Sequence, residues 1–167
     1  MEKGQCALIA QALKEIIEME NGPAVKTVLT FKPDAATSQR ERAYAANGNG
    51  AKVFISIHGR PAKQQEAGVY VPYAVDEPPS SWKNAGSRFL PKSVLLAEKL
   101  KDSMESGLPG KKYFVGHAPL VMFYGLAMPS VAVEATEYDS QPPLTPESAA
   151  KVAQAIYSGL VEYGKNP

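Results

Sequence analysis

Histidine is scarce in this chain, with only His58 and His117. His58 directly follows the compact apolar run Val53-Phe54-Ile55-Ser56-Ile57, and Glu134 stands in the same relation to Val131-Ala132-Val133. In open α/β sheets, ligands bind beyond the carboxyl ends of the strands. A carboxylate directly after a buried strand costs desolvation energy unless it has a partner. An imidazole and a carboxylate at two such ends are therefore candidates for one site. The bland alternative is equally physical. A histidine after a strand is more often hydrogen-bonded structure than a ligand, and a glutamate there can pair with an arginine. Spacing by itself does not define a metal site. Cys6 is the single cysteine, which excludes an internal disulfide and a thiolate cluster. Any transition metal would rest on histidine and carboxylate.

The elements that must position these residues follow from periodicity. From Glu2 to Glu20, Leu8, Ile9, Ala12, Leu13, Ile16 and Ile17 recur at helical spacing, and Asn21-Gly22-Pro23 stops the pattern. Val25 to Phe31 reads as a strand. Ser38-Gln39-Arg40-Glu41 is a capping box that starts a short helix ending near Gly48. Val53 to Ile57 is long enough for a buried strand and too short for a helix. Gly68 to Tyr73 is a further strand, and Val75 to Arg88 an ordered loop. Leu90, Val94, Leu95, Ala97, Leu100 and Met104 mark a helix. Lys111 to Tyr124 fits no single pattern. Pro129 to Glu134 holds a short buried strand. Thr145-Pro146-Glu147 opens a last helix, with a capping hydroxyl and proline at the first helical position. Val152, Ala153, Ile156, Leu160 and Val161 form its inward face. Alternation of strands and helices predicts a three-layer α/β/α sandwich around a mixed, mostly parallel sheet. One feature is odd: the first helix begins at residue 2 with no cap and no strand before it.

The 167 residues fit one domain, 1–167, without a linker or repeat. A formal net charge of +1 gives no field favouring nucleic acid. No apolar run of about eighteen residues exists, so no membrane span is expected, and no signal peptide is visible at Met1 to Cys6.

Several segments, taken in order, resemble one known family. Val53 to His58 resembles the strand-plus-histidine motif of zinc-dependent N-acetylmuramoyl-L-alanine amidases of type 3. Arg40-Glu41-Arg42-Ala43 with Ala46-Asn47 is similar to their preceding helix. Val28-Leu29-Thr30 with Asp34 is similar to their second strand and its turn. Gly68-Val69-Tyr70 resembles the strand after the histidine. Met128 to Glu134 resembles the segment that ends in their catalytic glutamate, and Glu2-Lys3 the acidic ligand that opens their first helix. The matches run in family order along essentially the whole chain.

The resemblance implies Glu2 and His58 as zinc ligands, Glu134 as the catalytic carboxylate, and one zinc ion as cofactor. It implies peptidoglycan as substrate, cleavage of the amide between N-acetylmuramic acid and L-alanine, and work in the periplasm or outside the cell. The family's remaining ligand lies in a His-Gly-Gly-type turn after a first strand, for which this chain has no residues. Weak or absent zinc binding, and with it an inactive chain, is the resulting expectation. Three accounts stand in order of preference: a truncated version of a longer enzyme, a diverged relative that no longer cleaves, or a substitute ligand, for which His117 is the one available histidine. Read without that role, His117 is a half-exposed loop histidine, the preferred reading. Arg40 and Arg42 are expected in ion pairs rather than on substrate. Trp82, Tyr70 and Tyr73 suit sugar stacking or core packing equally. Glu137 and Asp139 are rivals to Glu134, which the Val-Ala-Val-Glu context favours. The alternative function is a non-catalytic amidase-like domain that binds peptidoglycan or a partner protein.

Overall fold

The computed structural model describes residues 2–31, 36–73, 82–139 and 142–165, with the side chain of Glu2 left aside. Asp34 and residues 74–81, which hold the prolines of the expected loop from Val75 to Arg88, lie outside the described residues. Four helices, α1 (Glu2–Asn21), α2 (Gln39–Gly48), α3 (Leu90–Gly107) and α4 (Pro146–Gly164), combine with four strands, β1 (Phe54–Arg60), β2 (Glu66–Pro72), β3 (Lys112–Ala118) and β4 (Ser130–Glu137).

The strands form one sheet in the order β1-β4-β2-β3. β1 lies parallel to β4 and β2 parallel to β3, while β4 and β2 meet antiparallel. The sheet is mixed and mostly parallel, with helices on both sides. Alternation along the strands sorts side chains between two faces. Val69, Val71, Val131 and Val133 face a large cluster built with Ile9 and Leu13 of α1, Leu96 and Leu100 of α3, and Ile156 of α4. Phe54 and Ala132 face a smaller cluster with Ala43 and Ala46 of α2 and with Phe123, Leu126 and Met128 from the connection into β4.

The capping signals act locally and fold as the sequence predicts. Ser38 and Glu41 close a reciprocal capping box on α2, and the Thr145 hydroxyl accepts from the Ser148 amide at the start of α4. Other expectations are corrected. The run from Val25 to Phe31 joins no ladder among the described residues, because a strand is a pairing and β-branched composition does not supply the partner. Lys112–Ala118, unassigned from sequence, is a strand because β2 presents it a parallel edge. β1 and β4 continue past His58 and Glu134, so both residues sit inside strands rather than at their ends. β1 is half-buried rather than buried, since among the described residues it has β4 on one side only. Leu8 and Val161 are exposed. Gln5 takes an inward place on α1, and Gly159 and Tyr163 take inward places on α4.

Gly159 marks the tightest helix contact. A Cβ there would stand 2.9 Å from the Leu100 Cα and 3.0 Å from the Lys99 carbonyl oxygen, both backbone atoms of α3 that cannot swing aside. Gly159→Val is therefore expected to destabilise the domain by about 2 kcal/mol through overpacking, outweighing the roughly 0.5 kcal/mol gained in helix propensity. A urea titration checks it.

Candidate active site

His58 and Glu134 are register partners across the parallel β1–β4 pair, so their side chains leave the same face of the sheet on strands about 4.8 Å apart. The ladder is irregular directly after them: Gly59 pairs with Thr136, leaving Ala135 as an extra residue. Such bulges re-aim side chains and end regular pairing. The α2-side cluster reaches Phe54 and Ala132 on this face. His58 and Glu134, farther along, remain half-buried.

The antiparallel β4–β2 register runs through Val69↔Val133 and Tyr70↔Ala132. At the next position the Glu134 carboxylate takes over. Its Oε2 accepts the Gly68 amide at 2.7 Å and the Gln64 side-chain amide at 3.2 Å. The other oxygen has no partner among the described residues and remains available. Gln64 belongs to a braced loop. Arg60, only 4% exposed, donates to the carbonyls of Pro61 and Gln64 and to Glu137 Oε1 at 2.9 Å. Lys111 reaches the same Glu137 oxygen at 2.5 Å, and Asp139 accepts the Ala62 amide at 2.6 Å. Glu137 and Asp139 are thus engaged in holding the loop, while Glu134 stands beside His58 in register.

On β1, Ser56 Oγ and His58 Nε2 are 2.7 Å apart, a contact made by two residues on one strand face. Gln5 of α1 meets Thr136 Oγ1 at 3.3 Å, so the start of α1 docks beside the end of β4, with Glu2 one turn away. His117 is elsewhere. It pairs with Val71, three residues along β3 from the level of Glu134 and two strands across. That separates their Cα atoms by about 14 Å at a rise of about 3.3 Å and a strand spacing of about 4.8 Å. His117 is an exposed strand residue rather than a loop histidine, and the fold does not bring it to His58.

The remaining sequence candidates separate. Arg40 donates to the Tyr44 hydroxyl and Arg42 to the Thr37 carbonyl, in place of the expected ion pairs. Trp82 packs edge-to-face on Tyr124, with centroids 6.1 Å apart, and keeps 44% exposure. Tyr73 is exposed. Tyr70 lies on the site's floor. Its ring crosses Gly68, its hydroxyl 2.6 Å from where a Cβ at that position would stand, and packs edge-to-face on Phe114 at 5.7 Å. Gln64 and the Gly68 amide carry no signal in the sequence. No motif marks a glutamine in a loop or an amide freed where two strands part.

These observations define an α/β domain with a carboxylate–imidazole site between strands, an arrangement suited to hydrolysis. The N-acetylmuramoyl-L-alanine amidase family model matches residues 1–162, and the chain belongs to that family of peptidoglycan hydrolases. The catalytic domain of CwlV, an N-acetylmuramoyl-L-alanine amidase from Bacillus (Paenibacillus) polymyxa var. colistinus, superposes with a TM-score of 0.74 at 18% identity, over 100% of this chain and 87% of that one. AmiC2 of Nostoc punctiforme gives 0.75 at 23% identity, over 99% and 85%. The amidase of Clostridium difficile 630 gives 0.74 at 20% identity, over 99% and 85%. A search of curated proteins returns no match.

The family is generally zinc-dependent. Among the described residues, no three His, Cys, Asp or Glu side chains converge on a point. His58 is one donor, His117 is remote, and one Glu134 oxygen is committed to Gly68 and Gln64. The described donors do not by themselves fit a three-ligand zinc site.

Two outcomes follow. Gly68→Ala should push the Tyr70 ring off the floor, at a cost of about 1–3 kcal/mol; a crystal structure of the variant and a urea titration check this. The Tyr113 phenol, buried nearby, is pushed up to about 12, first by burial, against a lowering by Arg60, with Glu137, Glu105 and Glu134 raising it further. A folded-state value above the unfolded one means that stability is fully present below about pH 10 and falls as pH rises towards 12. Urea midpoints at pH 9 and pH 11.5 should show this loss, and Tyr113→Phe should reduce it.

Proposed function

We propose that this chain hydrolyses the amide joining the lactyl group of N-acetylmuramic acid to L-alanine of the stem peptide, with Glu134 as its catalytic carboxylate. The observation that carries the reading is the division of labour within Glu134. One oxygen is fixed by an amide on β2 and by Gln64, and the other, beside His58, has no partner among the described residues. A carboxylate held this way keeps its free oxygen aimed without paying side-chain entropy at each turnover.

Glu134 takes a proton from the attacking water as its oxygen adds to the carbonyl carbon. It returns that proton to the departing amine as the carbon–nitrogen bond breaks. Gln64 and the Gly68 amide hold the carboxylate through both transfers. His58 and Glu2 are the residues this chain offers towards zinc. Peptidoglycan as substrate places the work outside the cytoplasm, and no described helix is long and apolar enough to cross a membrane.

A second reading is a domain that binds peptidoglycan without cutting it; among the described residues no three donor side chains converge. Glu134→Gln separates the two. An enzyme should lose about 10²–10⁴-fold in the release of stem peptide from purified peptidoglycan, with its thermal midpoint unchanged. A parent chain that pulls down with peptidoglycan but releases no peptide, with zinc supplied, would establish the binding reading instead. Gln64→Ala should reduce turnover by about tenfold or more by loosening the carboxylate, a change read in kcat rather than in substrate binding.

A further inference from the structure

The site has a second polar group that amide hydrolysis through Glu134 does not use, the hydroxyl of Tyr70. Tyr70 stands near the middle of β2, paired with Gly116 on one side and Ala132 on the other. Two glycines make room for its ring. A Cβ at Gly116 would lie 3.2 Å from the ring's Cδ1, and one at Gly68 would overlap the ring's far end. Phe114 braces it edge-to-face, the ring planes 89° apart. The ring is therefore laid along the sheet surface rather than standing off it, and its hydroxyl ends over Gly68. The amide of that same glycine holds the Glu134 carboxylate. Phenol and carboxylate are thus both located by one residue.

The hydroxyl forms no hydrogen bond with any described residue, although it belongs to a half-buried side chain. A tyrosine used for packing alone is served as well by phenylalanine, and this hydroxyl is not among the buried atoms left without a partner. Burial, and then the neighbouring charge of Glu134, raise the phenol above its ordinary value. Its proton is therefore held more firmly than that of an ordinary phenol.

We propose that Tyr70 is a catalytic residue of this site, its hydroxyl donating a hydrogen bond to the carbonyl oxygen of the bound amide. The inference rests on the amidase reading given above. As water adds to the carbonyl carbon and its proton passes to Glu134, the carbonyl π pair moves to oxygen. The hydrogen bond from Tyr70 strengthens onto that oxyanion. Collapse restores the carbonyl, breaks the carbon–nitrogen bond, and sends the proton held by Glu134 to the amine. The tyrosine proton is shared and never transferred. A donor set against developing charge, rather than against the ground-state carbonyl alone, acts mainly on kcat.

The test compares the parent chain with Tyr70→Phe on muramyl dipeptide, with zinc supplied. Turnover is followed by amine release, and the fold by thermal midpoint. The expected result is a fall in kcat of at least about tenfold, within the range seen when one oxyanion donor is removed, with KM within about twofold and the midpoint unchanged. A kcat within about twofold of the parent overturns the proposal. If the parent shows no turnover, the hydrolytic reading fails on its own, and the hydrogen bond is judged by an NMR titration with the same dipeptide. Weaker binding by Tyr70→Phe of about fivefold or more upholds the contact, and equal binding overturns it. No binding by the parent overturns both.

Discussion

Two parallel strand pairs, β1–β4 and β2–β3, are joined by one antiparallel seam between β4 and β2, and the molecule's chemistry depends on that seam. Its register is short, through Val69↔Val133 and Tyr70↔Ala132. Those valines are fully buried against α1, α3 and α4, and burying each contributes about 1.5–3 kcal/mol. The seam is held by the core it faces rather than by its length. Where the backbone pairing ends, a side chain continues it: the Glu134 carboxylate accepts the Gly68 amide that would otherwise need another partner. An amide left unpaired inside the fold costs about as much as a lost hydrogen bond. The interaction that closes the sheet therefore also aims the catalytic candidate.

The same economy extends around the site. Arg60 is almost wholly buried, and its guanidinium is engaged by two loop carbonyls and by Glu137. Removing Glu137 would leave the buried Arg60 guanidinium without its carboxylate. The loop so fixed delivers Gln64 to Glu134. Gly68 serves twice, through its amide on the carboxylate and through its missing side chain under the Tyr70 ring. The site is assembled from β1, β2, β4 and one braced loop, with the imidazole and the carboxylate on neighbouring strands.

Membership of the amidase family and the donor set of the described residues pull in different directions. The family is generally zinc-dependent, whereas the described residues bring His58 to the site without two further converging donors. β1 has a partner on one side only, and the run from Val25 to Phe31 has none among the described residues. Glu134, Gln64 and Tyr70 are positioned by interactions that do not involve a metal.

The sequence by itself determined what depends on neighbours a few residues apart. The capping box at Ser38 and Glu41, the start of α4 at Thr145, the spans of α1 and α3, and the mixed α/β class all follow from propensity, periodicity and side-chain–backbone hydrogen bonds within one turn. It also singled out His58 and Glu134 as polar residues attached to apolar runs, with their family resemblance. Only the tertiary structure decided the rest. Val25–Phe31 has strand composition but joins no ladder among the described residues, and Lys112–Ala118 is a strand because β2 offers it an edge. His117 could be weighed as a ligand until the antiparallel seam placed it about 14 Å from Glu134. Gln64, Gly68 and the flat ring of Tyr70 carry no local signature, because their roles arise from contacts between strands far apart in sequence. Periodicity reports which face of an element is apolar. It contains no term for which strand lies beside it, and the chemistry here is a property of that adjacency.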